Sequence, residues 1–205
     1  MNGQGLRGFV GQGMTARRPT LSPIVWTYVA GPTGDAAYSF AAPLAGVYRF
    51  VLWGPGGTNS SGALSGGGGG ALVIAERPLS AGQIVSLVVG RGGFGNNNPS
   101  TATFSNGEVL SAGAGASGST SSPGGVAVCN PALGDVGVPG QTGSSSSSGG
   151  GVSGASYGNY QGGPAGIYSA SSAGTTPGAS SPGAATGTHR AGDGLIIVTQ
   201  TQMRQ

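Results

Sequence analysis

The stretch GAGASG at 113–118 has the glycine spacing of a dinucleotide-binding turn, and it follows a strand-like segment at 108–112. Glycines at such positions let backbone approach a pyrophosphate, but the chemistry also needs a helix opening at the motif and an acid about 20 residues on. Here STSSPGGVAV follows, and its proline and paired glycines exclude a helix, so Asp135 has the offset without the element that would aim it. The run GGGGG at 66–70 lacks the Lys-Ser/Thr that completes a phosphate loop and reads as a close-approach segment or a polyglycine leg. His189 is the sole histidine and Cys129 the sole cysteine, too few for a Ser-His-Asp triad, a thiolate metal site or an internal disulfide. Cys129 reads as a small buried hydrophobe. The five acids form no pair at catalytic spacing, and Glu76 and Asp193 read as strand-edge or turn residues. No active site, cofactor or metal is expected.

Binding is the chemistry that remains. Tyr157, Asn159, Tyr160 and Tyr168 stand among small residues in SYGNYQGG and GIYSA. Tyrosine on a rigid scaffold binds with few torsions to freeze, so these four are candidate contacts to a receptor or to a second subunit. The polar, aperiodic stretch 1–23 reads as an extended attachment arm, with Phe9, Arg17 and Arg18 as candidate docking residues. The net charge of +3 comes from eight scattered arginines, of which only Arg17 and Arg18 are adjacent. Nucleic-acid binding needs a clustered basic face, so no nucleic-acid partner is expected. No apolar run approaches the ~18 residues of a membrane span, and no secretion signal is read at the N-terminus.

Elements that would carry such residues are all strand-like. In GVYRFVLWG (46–54), Tyr48, Phe50 and Leu52 fall on one face and Val47, Arg49, Val51 and Trp53 on the other. IVWTYVA (24–30), DAAYSF (35–40), TATF (101–104) and EVLSA (108–112) are further short strands, the last two joined by the hairpin signal SNG. ALVIAER (71–77) and QIVSLVVG (83–90) are near-continuous apolar runs, the pattern of strands covered on both faces. No helical period appears. The expected fold is all-β, a jelly-roll-like β-sandwich built from 24–112 plus 194–205.

Between 113 and 193 glycine and serine dominate, and across 113–189 Asp135 is the only charged residue. The chain then returns to Leu195-Ile196-Ile197-Val198, a strand that must be buried against the sheet of 24–112. A long structureless loop inside a compact domain is improbable on length grounds. Three-residue glycine spacing, as at Gly134, Gly137, Gly140 and Gly143, suits packed polyproline-II-type legs that bond to one another. Residues 113–193 are therefore read as a polyglycine-II-type insertion before the last strand.

Taken in order, FVLWGPGG, the Gly5 run, ALVIAERPLSAGQIVSLVVGRGG, TATFSNGEVLSAGAGASG, GDVGVPGQTG and a closing GDGLIIVTQT resemble the glycine-rich domain of bacteriophage tail-fibre and other virion proteins. The resemblance covers about 46–201, and extends more distantly to T-even-type adhesins with polyglycine-II bundles. It implies a structural, non-enzymatic virion protein: a tail fibre, tail tip or adhesin for host attachment. Its partners would be other virion proteins, further copies of itself in a homo-oligomer such as a trimer, and a host glycan or protein. Charge depletion fits interface cores. A capsid decoration or head-fibre protein is the alternative, and a polysaccharide-degrading tail enzyme is the alternative of another class.

Overall fold

The computed structural model describes residues 23–57, 68–92, 98–116, 123–142 and 192–203. The chain is all-β in these parts. One sheet has the order β1 (Val25–Val29), β10 (Leu195–Met203), β3 (Gly46–Trp53), β4 (Leu72–Leu79), β9 (Val136–Val138). The other has the order β2 (Ala36–Ala41), β5 (Ile84–Val89), β6 (Ser100–Phe104), β7 (Val109–Ala112), β8 (Ala127–Val128). All the pairings are antiparallel. Strands β5 to β8 pair consecutively as a meander, whereas a jelly roll is built from two Greek keys. The described pairings thus establish an all-β sandwich of two antiparallel sheets, and the finer jelly-roll winding does not follow from them.

The alternation in β3 builds the core. Tyr48, Phe50 and Leu52 point between the sheets and are fully buried, with Phe40, Leu87, Leu110, Ile196 and Val198 around them. Phe50 meets Phe40 and Phe104 edge-on, with ring centroids 6.2 and 5.1 Å apart. Such pairs add about 0.5–1.5 kcal/mol to their area burial. The Leu195–Val198 strand lies centrally, paired with both β1 and β3.

Two expectations change. β5 is covered on one face only: Val85, Leu87 and Val89 are buried while Ile84 is 55% exposed. Its apolar run reflects β-branched propensity on an open face rather than double cover. Sheet pairing also reaches into 113–193, where β8 and β9 form. Gly134 is not part of a leg; it ends the 3-10 turn Pro131–Leu133 at φ 82°. The flanking Val136 and Val138 then pair with Ile74 and Leu72, because β-branched residues at alternate positions favour a strand over a leg.

Registers give the molecule two distinct poles. At one, Gly46 faces both Leu79 and Met203, and Ala41 faces Ile84. Tight turns close this pole, with Gly82 and Gly107 at positive φ. The chain enters β1 on this side, where Gln200 N–H donates to Ile24 O. At the other pole Trp53 faces Leu72 and Leu195, and Ala112 faces Ser100 and Ala127. The connections 54–71, 90–99, 113–126 and 139–194 all leave and return there.

Candidate functional site

Beyond this second pole the strands continue as short glycine-rich legs, and their hydrogen bonds do not follow sheet rules. Gly54 and Gly57 N–H donate to Ala71 and Gly68 O; Gly68 and Ala71 N–H donate to Ala116 and Gly113 O. Gly113 and Ala116 N–H donate in turn to Val126 and Pro123 O. In each pair the donors are three residues apart and so are the acceptors. That is the period of a polyproline-II-type helix, where every third residue faces the same neighbour.

The legs also close triangles. Gly115 N–H donates to Pro55 O, so 54–57, 68–71 and 113–116 are mutually bonded. Gly125 N–H donates to Gly69 O, Gly69 N–H to Gln141 O, and Gly140 N–H to Gly125 O, which joins 123–126 and 139–142 to the central leg 68–71. A strand in a sheet has two bonded neighbours that never bond to each other; the leg 68–71 has four. Gly56 N–H to Gly192 O and Gly194 N–H to Gly90 O attach the remaining ends. At the inward-facing glycines such packing leaves no room for a side chain: a Cβ on Gly70 would overlap Gly54 O, and one on Gly125 would overlap Gly113 O.

The pole is braced by two carboxylates. Asp35 Oδ1 accepts the Arg91 N–H (2.8 Å) and Oδ2 accepts Asn98 Nδ2 (2.5 Å). Asp193 Oδ1 accepts the Gly92 N–H (3.0 Å), which makes it the turn residue its position suggests. These ties hold 90–92 and 98 against the start of β2 and the approach to β10.

Charge elsewhere is spent on structure. Arg77 is buried and grips Asp135 in a two-pronged pair, Nη1 to Oδ1 at 2.7 Å and Nη2 to Oδ2 at 2.6 Å. Its Nε and Nη2 also reach Glu108 Oε1. Burial alone would push the Asp135 carboxyl up, but the Arg77 hydrogen bonds, the Asn130 N–H and the guanidinium charge hold it below the usual carboxylate range. The Asp135 hydrogen bond raises Arg77 further above its ordinary value, against the opposing effect of burial. Cys129 is half-buried beside this cluster; burial and then the Asp135 charge push its thiol up. Glu76 pairs with Arg49 at 2.6 Å on the surface, a contact worth ~0–1 kcal/mol.

All five acids are therefore engaged in holding backbone or arginine. Among the described residues no group of three or more His, Cys, Asp or Glu could hold a metal ion. In GAGASG, the N–H groups of Gly113, Gly115 and Ala116 are donated to neighbouring legs, so the donors a phosphate would need are already used. Part of the Gly5 run, 68–70, is the central leg. Tyr157, Asn159, Tyr160, Tyr168, His189, Phe9, Arg17 and Arg18 lie outside the described residues. Sequence reasoning missed the Arg77–Asp135–Glu108 cluster, although a lone carboxylate in an otherwise uncharged stretch was its signal.

No protein-family model and no curated protein matches this chain.

Proposed function

We propose that this chain is a structural protein of a bacteriophage virion, on its tail or capsid exterior, with a tail-fibre, tail-tip or adhesin role in host attachment. The observation that supports this reading most is the bipolar build. Residue 23 enters at the tight-turn side, whereas the long internal connections all emerge from a bundle of mutually bonded legs at the other pole. An attachment arm at one end and presented loops at the other is the layout an adhesin needs. The arm 1–23, with Phe9, Arg17 and Arg18, would dock on other virion proteins. Tyr157, Asn159, Tyr160 and Tyr168 would contact a host glycan or protein, or a further copy in a homotrimer. Carboxylates engaged in scaffolding favour a non-enzymatic role, without cofactor, over polysaccharide cleavage. A capsid decoration or head-fibre role fits the same build.

Gold labelling of purified particles with an antibody to this chain tests the reading. Label on the tail is expected, label on the shell moves the role to decoration, and particles free of label refute virion membership.

A further inference from the structure

The two sides of the sandwich end in different kinds of edge. On one side the sheets end in β9, three residues, and β8, two residues, beside the Arg77–Asp135–Glu108 cluster. Short strands and charge are devices that blunt a sheet edge. On the other side the sheets end in β1 and β2, five and six residues long, with the sequences VWTYV and AAYSFA. Neither strand holds a charge or a proline, and both registers run without a bulge. None of the described strands pairs with their outer edges.

Hydrogen bonds at the strand ends fix which groups these edges present. Ala42 N–H donates to Gln83 O, and Gln200 N–H donates to Ile24 O. Backbone groups alternate in direction along an antiparallel strand. Ala36, Tyr38 and Phe40 therefore bond inward to β5, while Ala37, Ser39 and Ala41 face outward. In β1, Trp26 and Tyr28 bond inward to β10, while Val25, Thr27 and Val29 face outward. Of these groups, Val29 O already accepts the Tyr38 hydroxyl, at 2.7 Å. Rings set the level of one edge on the other: Trp26 meets Phe40 and Tyr28 meets Tyr38, each with centroids 5.1 Å apart. Thr27 thus lies across from Ser39, and each is the middle one of its outward residues. Between the two edges Trp26, Tyr28 and Tyr38 are only partly buried.

We infer that this side of the sandwich is the docking surface for the same side of a second copy of the chain. A two-fold axis at the level of Ser39 and Thr27 sets Ser39 against the partner's Ser39 and Ala37 against the partner's Ala41. The same axis sets Thr27 against the partner's Thr27 and Val25 against the partner's Val29. One axis serves both sheets because the two centres share a level. The pairing forms about ten main-chain hydrogen bonds, the number of a typical interface. Aromatic anchors within an uncharged surround are the make-up of an interface core. The contact measures about 20 Å by 20 Å, roughly 400 Å² per copy and half the standard size, which makes a reversible dimer. The stretch before β1 suits the place less. It would bring Arg17, Arg18, Pro19 and Pro23 to an uncharged edge, and proline has no N–H to donate. The pairing is two-fold, so a homotrimer would need a surface of its own.

Ser39 is exposed in the single chain, so its substitution tests contact between copies without touching the core. Sedimentation of the full chain from about 1 to 200 μM is expected to show monomers giving way to dimers. Ser39→Lys places two like charges at the axis, and is expected to raise the dissociation constant about tenfold or more at unchanged β-type circular dichroism. In a Cys129→Ser background, Ser39→Cys is expected to give a disulfide-linked dimer on mild oxidation, because directly opposed strand residues stand within the ~4.4–6.8 Å a disulfide spans. Ser86→Cys, one strand further in, is expected to give none. Removal of 1–22 is expected to leave these results unchanged. The inference is overturned by a chain still monomeric at about 200 μM, by association that a folded Ser39→Lys protein retains, or by a Ser39→Cys protein that does not cross-link. Ser86→Cys linking as readily as Ser39→Cys, the mark of stacked sheet faces, overturns it too, as does association that appears or is lost on removal of 1–22. Should Ser39→Lys fail to fold, the two cysteine variants decide alone.

Discussion

Substituting Gly125 by alanine tests the packing of the legs directly. The new Cβ would overlap Gly113 O and lie 2.6 Å from Gly113 C and 2.9 Å from Ala71 N. All three atoms are backbone, so no side chain can swing aside. The chain must move the leg 123–126 away, which strains or breaks Gly125 N–H to Gly69 O, Ala71 N–H to Gly113 O and Gly113 N–H to Val126 O. Overpacking costs about 1–3 kcal/mol, and two or three hydrogen bonds at ~1 kcal/mol each bring the loss to roughly 3–6 kcal/mol. Alanine also reduces the entropy of the unfolded chain, which returns only about 0.4–1 kcal/mol. The net effect is destabilising and large beside a typical total of about 5–15 kcal/mol. At about 2–4 °C per kcal/mol for a chain of this size, thermal melting followed by circular dichroism should fall by roughly 5–20 °C. Gly34→Ala is the control, because nothing lies within 4 Å of its Cβ position; its melting point should hold or rise slightly. A Gly125→Ala protein that melts within about 2 °C of the parent would refute close backbone packing in the bundle.

Asp135→Asn should cost about 3–5 kcal/mol in urea unfolding, because it takes the two-pronged, buried carboxylate partner from the buried Arg77 charge. Acid should do part of the same work. The folded Asp135 carboxyl titrates below its unfolded value of about 3.9. Its contribution is therefore complete above that value and is lost as pH falls through the folded one; the parent should lose stability below about pH 4, and Asp135→Asn should lose less. Tyr48→Phe removes the hydroxyl that donates to Leu44 O at 2.7 Å and should cost about 0.5–1.5 kcal/mol at unchanged fold, read by the same unfolding curve.

Most of the sandwich was legible because strands report themselves by alternation. In β3 the inward and outward sets follow from period two alone, and Tyr48, Phe50 and Leu52 are the core they indicate. β8 and β9 escaped because a two- or three-residue strand carries no period; Ala127–Val128 and Val136–Val138 sit in glycine-rich surroundings that mask them. The same glycines made 134–143 look like one leg. Of its described residues only 139–142 joins the bundle, since Asp135 is drawn to Arg77, a partner 58 residues away that local sequence does not disclose. Legs at 54–57 and 113–116 were hidden for the opposite reason: each directly prolongs a strand, and composition alone marks no boundary between them.

That boundary has a physical basis in the register. The chain passes from bulky residues to glycine or proline at nearly the same level in several neighbouring strands: Trp53 to Gly54, Leu72 to Gly70, Ala112 to Gly113, Val138 to Pro139, Leu195 to Gly194. Where side chains are present, two packed sheets stand about 10 Å apart. Where they are absent, nothing holds the sheets open, and backbone of one meets backbone of the other. Ala71 N–H, which leads into β4, bonds Gly113 O, which follows β7, at 2.9 Å. The two sheets thus merge into one hydrogen-bonded bundle at this pole and stay separate at the other. A merged end resists splaying, because opening it breaks bonds between sheets as well as within them. The long connections of this chain start from the end that is tied in both directions, and that is where a protein that must hold loops against external force would place them.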